Sequence, residues 1–234
     1  MNILITGVTS GIGLALAREF SESGHSIIGC GTNQAKLNDL KLPQPQNHFL
    51  TQVDVGNDEV VKIWSNDVYK KYDKIDMIIN NAGIKSQLLP TWEVDAKDYE
   101  QTIRINVLGI INVIRHFVPK MVQINQGIIL NMTSEWGKCG DAYVSSYCAS
   151  KFAVEGLTQS LAKEIPENMV AAALNPYFVR TDLLDACKVL FLPGEYELSI
   201  LPDAWAKFVA PKILKIDRSL NGKSVTLHPL SSDL

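Results

Sequence analysis

Hydrophobic positions along the chain fall into two kinds of run that alternate. Short runs such as "NILIT", "MIIN" and "GIILNM" are apolar at nearly every position, the pattern of strands buried on both faces of a parallel sheet. Strands are predicted at 2–6, 26–30, 48–53, 75–80, 127–133, 170–175 and 224–227. Between them lie longer stretches with apolar residues three and four apart, which predict helices at 11–23, 34–40, 58–72, 98–122, 146–165 and 202–214. This alternation predicts an α/β fold: a doubly wound parallel β-sheet of about seven strands, helices on both faces, in a single domain spanning 1–234. Right-handed crossovers set its winding. The stretch "LPQPQ" reads as a loop, because each proline biases the preceding residue away from helix. Segment 181–201 follows the sixth strand, at the carboxyl edge where such sheets bind ligands, and is expected to cover the substrate.

Composition narrows the class without changing this picture. The chain has 234 residues, 46% of them hydrophobic and 20% charged, which suits a globular core and argues against disorder. The net charge is −3, with no basic run, so neither nucleic acid nor an anionic membrane surface is an expected partner. No apolar run reaches the length of a membrane span. The four cysteines, Cys30, Cys139, Cys148 and Cys187, have no metal-ligand spacing, and no metal site is expected. A strand pattern opens at the second residue, without a charged or cleavable leader before it. These features together point to a cytoplasmic protein.

The first strand runs into "TGVTSGIG" and then an apolar helical pattern. Gly7, Gly11 and Gly13 let the chain turn tightly and let a pyrophosphate approach the N-terminus of the helix, where free N–H groups and the helix dipole favour an anion. Thr9, Ser10 and Ile12 lie in the same loop. A glycine triplet between a strand and a helix is the context of a Rossmann-type dinucleotide site. At the end of the second strand, Gly31, Thr32 and Asn33 stand where an acid would bond a ribose hydroxyl and an arginine would accept a 2′-phosphate. Neither is present. Thr32 and Asn33 can donate hydrogen bonds and Lys36 is one turn away, so NADP(H) is favoured, with NAD(H) left open. Asp54 and Val55 follow the third strand, toward the adenine edge. Asn81, Ala82 and Gly83 close the fourth.

A second constellation carries reactivity. Tyr147 and Lys151 are four residues apart at the start of a helix, so they share one face. A lysine ammonium there would lower the phenol's pKa and let it exchange a proton near neutral pH. Ser134 closes the fifth strand, and Asn106 interrupts the apolar stretch "IRINVLGIINVI".

These motifs, in this order, resemble the short-chain dehydrogenase/reductase family: "TGVTSGIG", "NNAG", Asn106, Ser134 and "YCASK". The resemblance covers nearly the whole chain. It implies an NAD(P)-dependent oxidoreductase acting on CH–OH/C=O groups. Tyr147 would be the general acid in carbonyl reduction, and Lys151 would hold the nicotinamide ribose and keep the Tyr147 pKa low. Ser134 would polarise the carbonyl, and Asn106 would hold a water that resupplies protons. The resemblance also implies cofactor contacts from Tyr147 and Lys151 themselves and from Pro176, Val179 and Thr181, and a homodimer or homotetramer. One departure stands out. Tyr177 occupies the position after Pro176 where family members often carry glycine.

"NVIRHFVPKM", "YCASKFAVEGLTQSLAKE" and "LPDAWA" further resemble one branch, the plant-type NADPH-dependent pterin aldehyde reductases. That branch implies a flat bicyclic aldehyde, with Trp136, Tyr143, Tyr177 and Phe178 as walls and Glu135 against an amino-pyrimidine edge. Three readings follow. The first is an NADPH-dependent reductase of a small carbonyl substrate. The second is an NAD-dependent alcohol dehydrogenase, and the third a dinucleotide-binding module without turnover.

Overall fold

A computed structural model describes residues 1–230. Its seven strands are β1 (Asn2–Thr6), β2 (Ser26–Gly31), β3 (Phe49–Gln52), β4 (Met77–Asn80), β5 (Gly127–Met132), β6 (Met169–Asn175) and β7 (Ser224–Thr226). All pair in parallel, in one sheet ordered β3-β2-β1-β4-β5-β6-β7. The eight helices are α1 (Gly11–Glu22), α2 (Gln34–Asp39), α3 (Asp58–Lys71), α4 (Ala96–Ile103), α5 (Gly109–Gln123), α6 (Ser145–Glu164), α7 (Asp182–Asp185) and α8 (Pro202–Ile213). The predicted strands are all present, with ends displaced by a residue or two. The short helix α7 lies in the segment read as a cover.

Successive side chains of a strand point to opposite faces, and β1 shows the consequence. Ile3 and Ile5 join a core with Leu16 and Phe20 of α1 and Trp205 and Val209 of α8. Leu4, between them, faces Trp64 and Val68 of α3, Val113 and Phe117 of α5, and Leu161 of α6. A strand buried on both faces has no polar side to present, which is why its sequence reads as a continuous apolar run.

Two sequence expectations are corrected. The helical stretch predicted as one element over 98–122 is three: α4, a π turn at Arg104–Leu108, and α5. A π turn inserts an extra residue into the helical ladder, and here it carries Asn106, which is fully buried. The second correction concerns membrane length. The combined helix, Ala96–Gln123, is long and apolar enough by composition to cross a bilayer. In this fold part of its apolar surface belongs to the core: Ile105, Val113, Phe117, Val118 and Met121 are buried in the cluster that holds α3 against the sheet.

The winding order reverses at β1, since β2 and β3 lie on one side of it and β4 to β7 on the other. The crevice beyond the carboxyl ends of β1 and β4 is the place such a sheet offers a ligand.

Candidate active site

A cleft of about 850 Å³ opens at that crevice, within the range of small-molecule sites. One end is built by the turn from β1 to α1. Gly7 adopts φ +75°, which favours glycine, and its N–H bonds the carbonyl of Cys30 at 2.8 Å. Gly13 packs so closely beneath this turn that a Cβ would lie 2.3 Å from the Gly7 carbonyl oxygen and 2.4 Å from Asn81 Nδ2. Asn81 ties the turn to β4. Its side chain donates to the carbonyl of Thr6 at 2.9 Å, while the Thr6 hydroxyl accepts from the N–H groups of Asn81 and Ala82 at 3.0 and 2.9 Å.

The N-terminus of α1 carries the test for a pyrophosphate. Ser10 stands at its N-cap, yet its side chain makes no capping hydrogen bond, and the first turn holds no acidic residue. The free N–H groups of that turn, and the positive end of a 12-residue helix, meet the cleft with no carboxylate in the turn itself to neutralise them. The residues present therefore fit a dinucleotide, with Gly7, Thr9, Ser10, Gly11 and Ile12 lining its phosphate end.

Gly31 and Thr32 line the next part of the cleft. A Cβ on Gly31 would come within 2.6 Å of Thr9 Cγ2, so glycine is needed for the two loops to meet. Asp54 and Val55 also line the wall. There the structure adds a residue the sequence did not single out. Arg104, at the π turn, donates to Asp54 Oδ2 at 2.9 Å and lies over Gly56, where a Cβ would be 2.2 Å from its guanidinium. The missing signal is one of topology. Residues 50 apart in sequence meet only because the π turn comes to rest against the loop after β3.

The other end of the cleft holds the reactive groups. Ser134, Tyr147 and Lys151 line it. The Ser134 hydroxyl oxygen accepts from the Trp136 N–H at 3.2 Å, which leaves its own hydrogen to donate toward the Tyr147 phenol. Lys151 is buried, and its ammonium donates to the Met132 carbonyl at 2.7 Å, with Nζ 5.4 Å from the centre of the Tyr147 ring. Burial lowers the Lys151 pKa to about 8. Burial also raises the Tyr147 phenol well above its ordinary value, and the Ser134 hydrogen bond opposes that rise. This corrects the sequence argument, in which the ammonium lowers the phenol. In the protein alone, desolvation dominates, and the hydrogen bond that eases it comes from Ser134.

Asn106 lies below the lining. Its Oδ1 accepts from the Ile84 N–H at 2.8 Å, and its Nδ2 donates to the Ile84 carbonyl at 2.8 Å and to Ser150 Oγ at 2.9 Å. Both amide hydrogens are therefore committed to protein, and the side chain ties the loop after β4 to α6.

Three of the expected substrate contacts are placed differently. Glu135 bonds Asn175 Nδ2 and sits 3.5 Å from Lys138 Nζ, so it faces the β6–β7 edge and is absent from the cleft lining. Tyr143 is half exposed in the loop before α6 and does not reach the cleft. Phe178 stands behind the wall, packed edge-on against Tyr177 at 4.4 Å and Phe191 at 5.4 Å. Trp136 and Tyr177 do line the cleft. Trp136 meets Tyr147 edge-on at 5.9 Å and lies nearly parallel to Phe191 at 6.1 Å. Phe191 thus supports both walls, although its segment gave no recognisable pattern. Asn33, expected at the cofactor, instead caps α2 by accepting from the Lys36 N–H at 3.0 Å, and Gly13 serves packing beneath the turn. Pro176, Val179 and Thr181 line the cleft, as do Asn81, Ala82 and Gly83. Tyr177 holds φ +60°, a left-handed conformation uncommon for a bulky side chain.

A seven-stranded parallel sheet with a glycine-lined phosphate end and a serine–tyrosine–lysine group at the other defines a class. A profile of the short chain dehydrogenase family matches residues 1–188, and the chain belongs to that family of oxidoreductases. An NADPH-dependent pterin aldehyde reductase of Arabidopsis thaliana is 42% identical over 227 residues, covering 96% of this chain and 92% of that protein. A 3-oxoacyl-(acyl-carrier-protein) reductase of Rickettsia prowazekii is 32% identical over 183 residues, covering 78% of this chain and 74% of that one. In fold, levodione reductase superposes with a TM-score of 0.86 over 97% of this chain and 95% of that one, at 22% identity.

Proposed function

We propose that the protein reduces an aromatic aldehyde with NADPH, a pterin aldehyde being the substrate class that best fits its relatives and its cleft. The observation that carries this is the placement of Tyr147. Its phenol shares one end of the cleft with Ser134 and Lys151 and stands beside the indole of Trp136, with Tyr177 also in the wall. A flat ring seated along those aromatic side chains presents a carbonyl oxygen to two hydroxyls. The 42% identity to the Arabidopsis enzyme supports both the cofactor and the substrate class.

Gly7, Thr9, Ser10, Gly11 and Ile12 would hold the pyrophosphate, Thr32 with Lys36 the ribose phosphate, Asp54 and Val55 the adenine edge, and Lys151 with Tyr147 the nicotinamide ribose. Bound NADPH supplies the hydride. The protein's part is to orient and to move a proton. Ser134 donates to the carbonyl oxygen and polarises it, and Tyr147 delivers its phenolic proton to that oxygen as it gains charge. A phenol kept neutral by burial is a proton donor at every physiological pH. Positioned proton transfer of this kind contributes roughly 10²–10⁴-fold in rate. Lys151, whose ammonium lies 5.4 Å from the centre of the Tyr147 ring, would hold the nicotinamide ribose and supply the proton that restores the phenol. Segment 181–201, whose residues Thr181 to Leu184 already line one wall, closes over the substrate.

In the cell we place the enzyme in the cytoplasm, in keeping with its four free thiols, as a homodimer or homotetramer. Leu108 on the π turn and Phe152 on α6 are both 47% exposed, on helices that pack side by side, and a second copy would cover them.

The test is a nicotinamide-fluorescence titration with NADPH and NADH, followed by oxidation assays on an aldehyde panel that includes 6-formylpterin. Tighter NADPH binding with turnover of the pterin aldehyde is expected. A preference for NADH would instead assign an NAD-dependent alcohol dehydrogenase. Cofactor binding without turnover of any aldehyde would point to a module that binds a dinucleotide for another purpose.

A further inference from the structure

The cleft contains a cation that the reaction described above does not use. Lys85 lies two residues beyond Gly83, and its side chain lines the cleft. The segment that carries it is pinned against the N-terminal turn of α6. Ser86 Oγ and Ser146 Oγ are 2.7 Å apart, and Leu88 packs into the cluster of Val144, Tyr147, Cys148 and Cys187. Lys85 thereby lies on a segment held against the start of α6, the helix that carries the reactive tyrosine, and lines the same cleft. Its charge reaches Cys187 of that cluster, where it opposes the rise that burial imposes on the thiol.

The other two cations of the lining are already engaged. Arg104 is paired with Asp54 at 2.9 Å, and Lys151 is buried on the Met132 carbonyl. Asp182 lines the cleft from the first residue of α7. Among the described residues, Lys85 bonds only the carbonyl of its own neighbour, Ser86, at 3.1 Å, and pairs with no carboxylate within 4 Å. An ammonium has three donors, so two remain for a ligand. The side chain is half-buried in the cleft, and a ligand that brings an acceptor would complete its bonding.

We propose that Lys85 is a specificity-determining residue: it binds an oxygen-rich, negatively polarised edge of the substrate, on the side of the aromatic ring remote from the carbonyl that is reduced. Either a carboxylate or a ring carbonyl oxygen, such as that of a pyrimidinone, presents this chemistry. The inference rests on the reading of the protein as an aromatic aldehyde reductase and deepens it. It adds a polarity requirement to a pocket that otherwise selects only for flatness. A charge-assisted hydrogen bond to such an edge discriminates by roughly 10-fold or more against a substrate that lacks it.

Two arms test this on the full-length protein. In the first, kcat/KM is measured for 4-formylbenzoate, 6-formylpterin and 4-methylbenzaldehyde, with wild type, Lys85→Met and Lys85→Arg. Wild type is expected to prefer the two acceptor-bearing aldehydes. In Lys85→Met the preference ratio should fall about 10-fold, through KM more than kcat, and Lys85→Arg should recover most of it. A fall for 4-formylbenzoate alone identifies a carboxylate as the ligand group, and a fall for 6-formylpterin alone a ring carbonyl. A ratio that survives in Lys85→Met overturns the proposal. The second arm measures binding of 4-methylbenzoate and 4-methylbenzamide by calorimetry, in the presence of NADP⁺. It separates failure of the enzymatic reading from failure of this one. If no aldehyde turns over, selective retention of the benzoate by wild type and its loss in Lys85→Met still uphold the Lys85 site. Equal binding of both compounds by wild type and variant rejects it.

Discussion

At the scale of single residues, the reactive end is governed by burial. Tyr147 is held neutral by desolvation and receives help from Ser134, so its removal costs the proton and little else. Tyr147→Phe is expected to bind NADPH with near-native affinity by fluorescence and to lose turnover by at least ~10²-fold. Near-normal turnover would rule out the phenol as the proton donor. Lys151 gives a second prediction, through stability. Its folded pKa, about 8, lies below the ordinary lysine value of 10.5. Between those values the unfolded chain binds more protons than the folded one, so stability rises with pH across that window. Below it the cost of burying a charge is fully present, and above it the cost is gone. Relative to Lys151→Met, wild type should therefore gain stability between pH 7.5 and pH 10. Urea midpoints of the two proteins at both pH values check this, and a constant difference would mean that Lys151 is not desolvated as the fold implies. Tyr147 is common to both proteins, so its own titration cancels.

At the scale of elements, the site depends on how closely β1, α1 and β4 approach one another. Gly13 has no space for a side chain, because its neighbours are a backbone carbonyl and the amide of Asn81. Gly13→Ala must push α1 away from the turn. A loss of about 1–3 kcal/mol is expected from such overpacking, with a weaker grip on NADPH, because the N–H groups of α1 move with it. Thermal unfolding and a cofactor titration measure both effects. A native melting temperature would show that the turn yields more easily than a backbone contact allows. The π turn is the other element that builds the site. It buries Asn106 where its amide can satisfy both backbone groups of Ile84. It also places Arg104 against Asp54, so one irregularity in a helix organises both ends of the cleft.

At the scale of the whole molecule, the sheet order decides what the cleft contains. The order in which strands are added reverses at β1, and the loops after β1, β2, β4, β5 and β6 all open into one crevice. The same architecture leaves Leu108 and Phe152 on the outside of adjacent helices. Light scattering at micromolar concentration is expected to show a dimer or tetramer, and Phe152→Glu to shift it toward smaller species. A monomeric wild type would refute the assembly.

Much of this was legible in the chain itself, for a physical reason. Strands buried on both faces must be apolar throughout, so β1, β4 and β5 announce themselves. A phosphate-binding turn needs glycine where φ is positive or space is absent, so Gly7, Gly11 and Gly13 mark it. Tyr147 and Lys151 are joined by helical periodicity, and Ser134 is set by a strand end. These are local rules, and sequence carries them. What the tertiary structure alone decided involves residues brought together from far apart. The pairing of Arg104 with Asp54, the turning of Glu135 away to Asn175, the support of Trp136 by Phe191 and the arrival of Lys85 in the cleft that holds Tyr147 all depend on where separate elements come to rest. Whether a phenol is shifted by a neighbouring charge or by desolvation is likewise a question of three-dimensional surroundings. Spacing along the chain placed Tyr147 and Lys151 on one helix face, but only packing could say that burial outweighs the charge.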